Sequence, residues 1–240
     1  REPKYLNSPE TMVFDKNRNL YGLNIARSTR KPYMLLCEGY MDVISLHQAG
    51  FDMAVASLGT ALTQGHAALL KRYTKEVYIT YDSDGAGVKA ALRAIPILRQ
   101  AGIATKVINM QPYKDPDEFI KALGAEEYQK RIEEAENSFL FEIRMLQREF
   151  DMTDPQSKTA FQQEVAQKLL GFTEELERNN YMEAVSRTFN IRLDALEKLV
   201  VSLSQKLDPA AVKKEPLKTG QNQAKQKEDG KKHSQKLLLT

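Results

Sequence analysis

Val77-Tyr78-Ile79-Thr80-Tyr81, running straight into Asp82-Ser83-Asp84-Gly85-Ala86-Gly87, decides the fold. The first five residues are β-branched or aromatic and read as a buried strand, because such side chains pack well on a pleated surface. The next six are turn chemistry. Asp and Gly favour tight turns, and an Asp there caps the helix that follows. That helix reads over Ala86–Ala101 and is closed by Gly102. A strand that ends in an acidic turn and passes into a helix is half of a βαβ unit.

The same grammar repeats outward. Tyr33-Met34-Leu35-Leu36-Cys37 reads as a buried strand, and Met41–Gln48 as a helix stopped by Gly50. Met53–Ala56 is a second short strand, Thr63 caps a helix reaching about Tyr73, and Ala104–Asn109 is a fourth strand after Val77–Tyr81. Strands separated by helices predict an α/β unit, a mostly parallel four-stranded sheet flanked by helices. Pro96 predicts a kink near Ile95. Beyond Gly124 the period changes from strand to helix. Helices are expected over 125–150, 155–170, 174–189 and 193–205, with Asn179-Asn180 interrupting or starting the third. This second half reads as an all-α bundle.

The chain has 240 residues, 42% hydrophobic and 28% charged, enough for one large domain or two small ones. It starts Arg1-Glu2-Pro3 and is read as a piece of a longer protein. No apolar run reaches the length of a membrane span. The single Cys37 and the scattered His47, His66 and His233 exclude a Cys/His zinc site. Any metal must then rest on carboxylates, which favours Mg²⁺ or Mn²⁺. The net charge of +3 hides an asymmetry: residues 207–240 carry +4 and no aromatic residue, leaving −1 on the rest. That stretch is expected to be a disordered basic linker.

Ligand sites in open parallel sheets lie at the carboxyl ends of the strands. Acids stand at three such ends: Glu38 and Asp42 in Glu38-Gly39-Tyr40-Met41-Asp42, then Asp82 and Asp84, then Asp115 and Asp117 in Lys114-Asp115-Pro116-Asp117-Glu118. Each is ordinary turn or cap chemistry when taken alone. Together on one sheet edge they would repel one another unless divalent cations relieved the charge. A carboxylate site holding Mg²⁺ suits phosphoryl or nucleotidyl transfer. No Walker-type loop, GxSxG elbow or Cys/His nucleophile pair competes with it. A receiver-like domain would need a pair of acids after the first strand, where only Glu38 stands.

Glu38-Gly39-Tyr40-Met41-Asp42, Ala56-Ser57-Leu58-Gly59-Thr60-Ala61, Asp82-Ser83-Asp84-Gly85-Ala86-Gly87 and Asp115-Pro116-Asp117-Glu118 together resemble the TOPRIM domain of bacterial DnaG-type primases. Lys4-Tyr5-Leu6-Asn7-Ser8-Pro9-Glu10-Thr11, with Phe14, Lys16 and Leu20-Tyr21-Gly22-Leu23, is similar to the segment preceding TOPRIM in that family. The resemblance covers about residues 4–206. It implies a remnant of the preceding subdomain at 1–30, TOPRIM at 31–124, a helical bundle at 125–206 and a linker at 207–240. By the same resemblance, Glu38, Asp82 and Asp84 are the core metal-binding and catalytic acids, and Asp42, Asp115 and Asp117 complete the cluster. Whether Glu38 is a ligand or a proton-transfer group stays open. Lys4, Tyr5, Asn7 and Lys16 match positions used for template DNA or nucleotide phosphates; a lone surface lysine is the plainer reading of Lys4 and Lys16.

The implied activity is Mg²⁺-dependent synthesis of short RNA primers on single-stranded DNA from nucleoside triphosphates, by a cytoplasmic monomer at the replication fork, with Mn²⁺ as a substitute ion. The family's zinc-binding domain is expected only in a missing N-terminal part. Helicase binding is expected in a missing C-terminal domain beyond the tail. Two rivals keep the residues but change the chemistry: a strand-cleaving TOPRIM enzyme (topoisomerase or nuclease), or a non-catalytic TOPRIM interaction module.

Overall fold

The computed structural model describes residue 11 and residues 15–57 and 59–207. Along the chain lie a 3₁₀ turn at Lys16–Arg18, β1 (Leu20–Tyr21), α1 (Leu23–Ala26), β2 (Tyr33–Cys37), α2 (Tyr40–Gln48), β3 (Ala54–Ser57), α3 (Gln64–Lys71) and β4 (Glu76–Thr80). They continue with α4 (Gly85–Gln100), β5 (Ala104–Val107), α5 (Pro116–Glu133), β6 (Glu136–Asn137), α6 (Ser138–Gln147), α7 (Pro155–Leu169), α8 (Glu175–Phe189) and α9 (Leu193–Leu207).

The strands form one sheet in the order β1-β3-β2-β4-β5-β6. The inner four are parallel, as expected: β2 pairs with β3 and β4, and β4 with β5. The sheet nevertheless has six strands rather than four. Two-residue antiparallel strands close its edges, β1 on β3 and β6 on β5. The sequence is silent on both because two residues carry no periodicity.

Alternation along the strands divides the core into two layers. Met34, Leu36, Val77 and Ile79 face Ala91, Ala94, Ile95 and Leu98 of α4. Leu35, Cys37 and Tyr78 face Val43 and Leu46 of α2 and Phe119 and Tyr128 of α5. Each fully buried Leu or Ile contributes about 1.5–3 kcal/mol relative to exposure, so an apolar run such as β2 is forced into the middle of the sheet. Tyr128 is fully buried, and its hydroxyl donates to Thr80 Oγ1 at 3.1 Å, fastening α5 to the end of β4.

α4 runs on through the exposed Pro96 as one helix from Gly85 to Gln100. Two sequence expectations need correcting. Asn179-Asn180 does not interrupt α8. The single helix expected over 125–150 is instead the end of α5, the short β6 and α6. Pairing of Lys106 with Asn137 and of Val107 with Glu136 draws the chain to the sheet, and Asn137 Oδ1 then caps α6 by accepting from Phe139 N at 2.9 Å. Within α5, Gly124 has φ 83°, a left-handed conformation that suits glycine and bends the helix.

The chain divides into two compact units. One runs to Gln162 and includes Arg187–Asn190; the other comprises Gln163–Ser186 and Ile191 onward. In the second unit, Phe172 stacks on Tyr181 with centroids 4.3 Å apart, and Arg178 Nη1 donates to the Phe172 carbonyl at 3.1 Å. Among the described residues no helix is long and apolar enough to cross a membrane. The basic stretch expected to be a linker lies, from residue 208 on, outside the described residues.

Candidate metal centre

Register places the acids. Cys37 is the partner of Thr80, so Glu38 leaves β2 beside the point where Tyr81-Asp82 leave β4. Asp84 then caps α4, its Oδ1 accepting from Ala86 N and Gly87 N, both at 2.9 Å. The loop closes tightly over itself: a Cβ on Gly87 would lie 2.1 Å from the Asp82 carbonyl oxygen. Asp42 sits in the first turn of α2, 6% exposed, with Oδ2 accepting from Gly39 N at 3.2 Å. Asp115 caps α5 by accepting from Glu118 N at 2.8 Å, and Pro116 fills the first helical position.

Two bonds tie the third corner to the others. Ser83 N donates to the Lys114 carbonyl at 2.7 Å, and Lys114 Nζ lies 3.2 Å from Asp82 Oδ2. The backbone N–H of Lys114 also donates to Glu118 Oε2 at 2.7 Å. A cavity of about 600 Å³ opens beside Asp82 and Ser83, floored by Ile79, Val88 and Val107, with Arg131 in its lining.

The electrostatics show that these groups share one field. Partial burial, then the charges of Asp82 and Asp84, raise the Glu38 pKa, while Lys114 lowers it. Burial, then the charges of Asp115 and Asp82, push Asp42 up to about 7. The Asp84 pKa is lowered by the hydrogen bonds from Gly87 and Ala86, and further by Lys114. Glu38, Asp42, Asp82, Asp84 and Asp115 are therefore neighbours on one sheet edge. The Asp117 backbone N–H also donates to the Asp42 carboxylate, while its side chain has further partners: Ser45 Oγ donates to its Oδ1, and Lys121 Nζ lies 2.7 Å from its Oδ2.

An all-oxygen donor set of this kind fits a hard divalent cation. As the side chains stand, no three His, Cys, Asp or Glu groups among the described residues converge to hold one. The Lys114 ammonium takes the position of a counter-charge instead. Sequence reasoning missed Lys114, since a single Lys next to an Asp-Pro-Asp reads as solvated surface. It also missed Ser45, whose role depends on a partner 72 positions away. Lys16 lies in the 3₁₀ turn, where its carbonyl meets His66 Nε2 at 2.7 Å. Lys4, Tyr5 and Asn7 fall outside the described residues.

The raised Asp42 pKa has a measurable consequence. A carboxyl ionising near 7 when folded and near 4 when unfolded binds more protons in the folded state between those values. Metal-free stability therefore falls as pH rises from about 4 to about 7. Asp42→Asn removes that slope. At about pH 8, in chelator, the variant is expected to be more stable by up to about 4 kcal/mol, and near pH 4 the two proteins should match. Urea unfolding at both pH values checks this; equal midpoints at about pH 8 would contradict the buried, strained carboxylate.

Comparison with known proteins identifies the family of this fold. Residues 35–120 match a family described as Toprim-like, and residues 1–27 match the DNA primase catalytic core, N-terminal domain. A DNA primase of Clostridium acetobutylicum is 40% identical over 206 residues, 85% of this chain and 34% of the relative. The chain belongs to the DnaG-type bacterial primases. It spans about a third of the length of the curated primases it matches. Among solved structures, the Aquifex aeolicus primase (zinc binding and RNA polymerase domains) is 35% identical with a TM-score of 0.66, covering 82% of this chain and 47% of that one. A DnaG primase catalytic domain bound to single-stranded DNA is 33% identical with a TM-score of 0.68, covering 78% and 62%.

The third family match overturns one expectation. Residues 139–194 match the DnaB-helicase binding domain of primase. That segment is present in this primase chain, in α6 to α8, and not missing beyond the tail. Its residues gave no hint of a partner, because Phe139, Ile143 and Phe161 are all buried and read as core.

Proposed function

We propose that the chain is part of the catalytic core of a DNA-dependent RNA primase, joining nucleoside triphosphates into short RNA primers on single-stranded DNA. One observation carries the reading: Glu38, Asp82 and Asp84 leave adjacent parallel strands on the same edge, where the charges of Asp82 and Asp84 help raise the Glu38 pKa. Those three carboxylates, with Asp42 and Asp115 behind them, would hold Mg²⁺. The ion, when bound, activates the attacking 3′-hydroxyl and neutralises charge on the phosphates. The protein's own part is positional. Asp84 is held by the helix cap, Asp82 by the loop that Gly87 closes, and Asp42 by Gly39 N–H.

A solved relative carries single-stranded DNA on the equivalent fold. Lys16, with Lys4, Tyr5 and Asn7, is proposed to meet template or nucleotide phosphates, contacts that bind without reading sequence and weaken with salt. The region matching the helicase-binding family is proposed to dock the replicative helicase, and a zinc domain is proposed for the rest of the parent protein. The test uses the full-length parent, single-stranded template, labelled nucleoside triphosphates and Mg²⁺. Short RNA products are expected, and they should vanish with chelator. Absence of RNA products, with covalent protein–DNA adducts formed on supercoiled DNA instead, would turn the assignment to strand cleavage.

A further inference from the structure

Lys114 is fixed at its backbone and exposed along its side chain. Its N–H donates to Glu118 Oε2 at 2.7 Å, and its carbonyl accepts from Ser83 N at 2.7 Å. Its side chain is 58% exposed and reaches Asp82 Oδ2 at 3.2 Å, where the Asp82 side chain is only 21% exposed. The ammonium thus sits on the solvent side of the acidic edge, over one of the carboxylates most needed by a cation. The ammonium and a divalent cation both draw on the Asp82 carboxylate and carry like charge, so the two compete there.

We propose that Lys114 is a built-in counter-cation that must be displaced from Asp82 before a divalent ion can bind, and that it therefore sets the metal affinity of the centre. The inference rests on reading this edge as the metal centre. The geometry suits a reversible lock. The anchored backbone keeps the lysine in place, while its long side chain can swing outward. The charges facing the ammonium come from three corners: Asp82 and Asp84 after β4, Glu38 after β2, and Asp115 on its own segment. Without a metal, this one cation offsets part of their mutual repulsion. An exposed ion pair is weak, so a divalent ion can replace it, but only after overcoming that competition. Lys114 is a positioning residue in this scheme; nothing requires it to touch the reacting atoms.

The test is calorimetric titration of Mn²⁺ into the metal-stripped chain, in wild type, Lys114→Met and Lys114→Arg. Lys114→Met is expected to bind about three- to tenfold more tightly, and Lys114→Arg to stay near wild type because it keeps the charge. A second readout needs no substitution. With lysines reductively ¹³C-methylated, the Lys114 signal should move toward that of an exposed lysine as Mg²⁺ is added. Equal or weaker Mn²⁺ binding by a folded Lys114→Met overturns the lock while leaving the metal centre standing. A Lys114 signal that stays fixed at Mg²⁺ saturation also overturns it, even if the Met variant fails to fold. Lack of Mn²⁺ binding by all three proteins overturns the metal centre and the lock together.

Discussion

Asp84→Asn in the full-length primase is expected to cut primer synthesis about a thousandfold, the scale lost when one preorganised charge-stabilising group is removed from an active site, with the melting temperature close to wild type. The separation of the two effects follows from the cap. Asp84 Oδ1 accepts from Ala86 N and Gly87 N, and Asn offers a carbonyl oxygen in the same place and is as good a cap. What the substitution removes is the negative charge. Asp84 is exposed, and its hydrogen bonds hold its pKa low, so it is fully ionised at neutral pH and ready for a cation. Asp82→Asn should lose as much activity and also release Lys114 from its pair. The measurement is label incorporated from nucleoside triphosphates on single-stranded DNA, beside a thermal melt. Wild-type primer yield from a folded Asp84→Asn would remove this carboxylate from the chemistry.

Much of this site is legible in the amino-acid sequence, for a physical reason. An apolar run such as Tyr33–Cys37 has one stable destination, the middle of a sheet, and the structure keeps those bounds. Once parallel strands are inferred, the residues after them fall on one edge, so Glu38, Asp82 and Asp84 can be grouped from their positions along the chain. Thr63 caps α3 as read, by accepting from His66 N at 3.2 Å. The misses share a different cause. β1 and β6 exist only because β3 and β5 offer them free backbone groups, and that pairing is non-local. The split between α5 and α6 has the same origin, since it depends on Lys106 and Val107. Lys114 and Ser45 gain their roles from partners brought near by the fold. The helicase-binding match lies on helices whose apolar stripes look like any other core. Local pattern therefore locates the acids but not the cation and the hydroxyl that accompany them.

Gly87→Ala is expected to disable the centre through the backbone rather than the chemistry. The added Cβ would lie 2.1 Å from the Asp82 carbonyl oxygen, 2.8 Å from its carbonyl carbon and 2.9 Å from its Cα. All three atoms are main chain, so no rotamer change can relieve the overlap. Either the loop opens between Asp82 and Asp84 or the first turn of α4 unwinds, and both break the bond from Gly87 N to Asp84 Oδ1. Overpacking of this severity costs about 3 kcal/mol, and the same shift separates Asp82 from Asp84, so primer synthesis should fall with stability. Gly85 supplies the control two residues away: a Cβ there meets nothing within 4 Å. Gly85→Ala should melt at or slightly above wild type, because Ala is the better helix former. Urea unfolding of both variants, followed by the primer assay, reads the contrast. A Gly87→Ala protein as stable as Gly85→Ala would mean that the loop does not close against its own backbone, and the placement of both aspartates would have to be rebuilt.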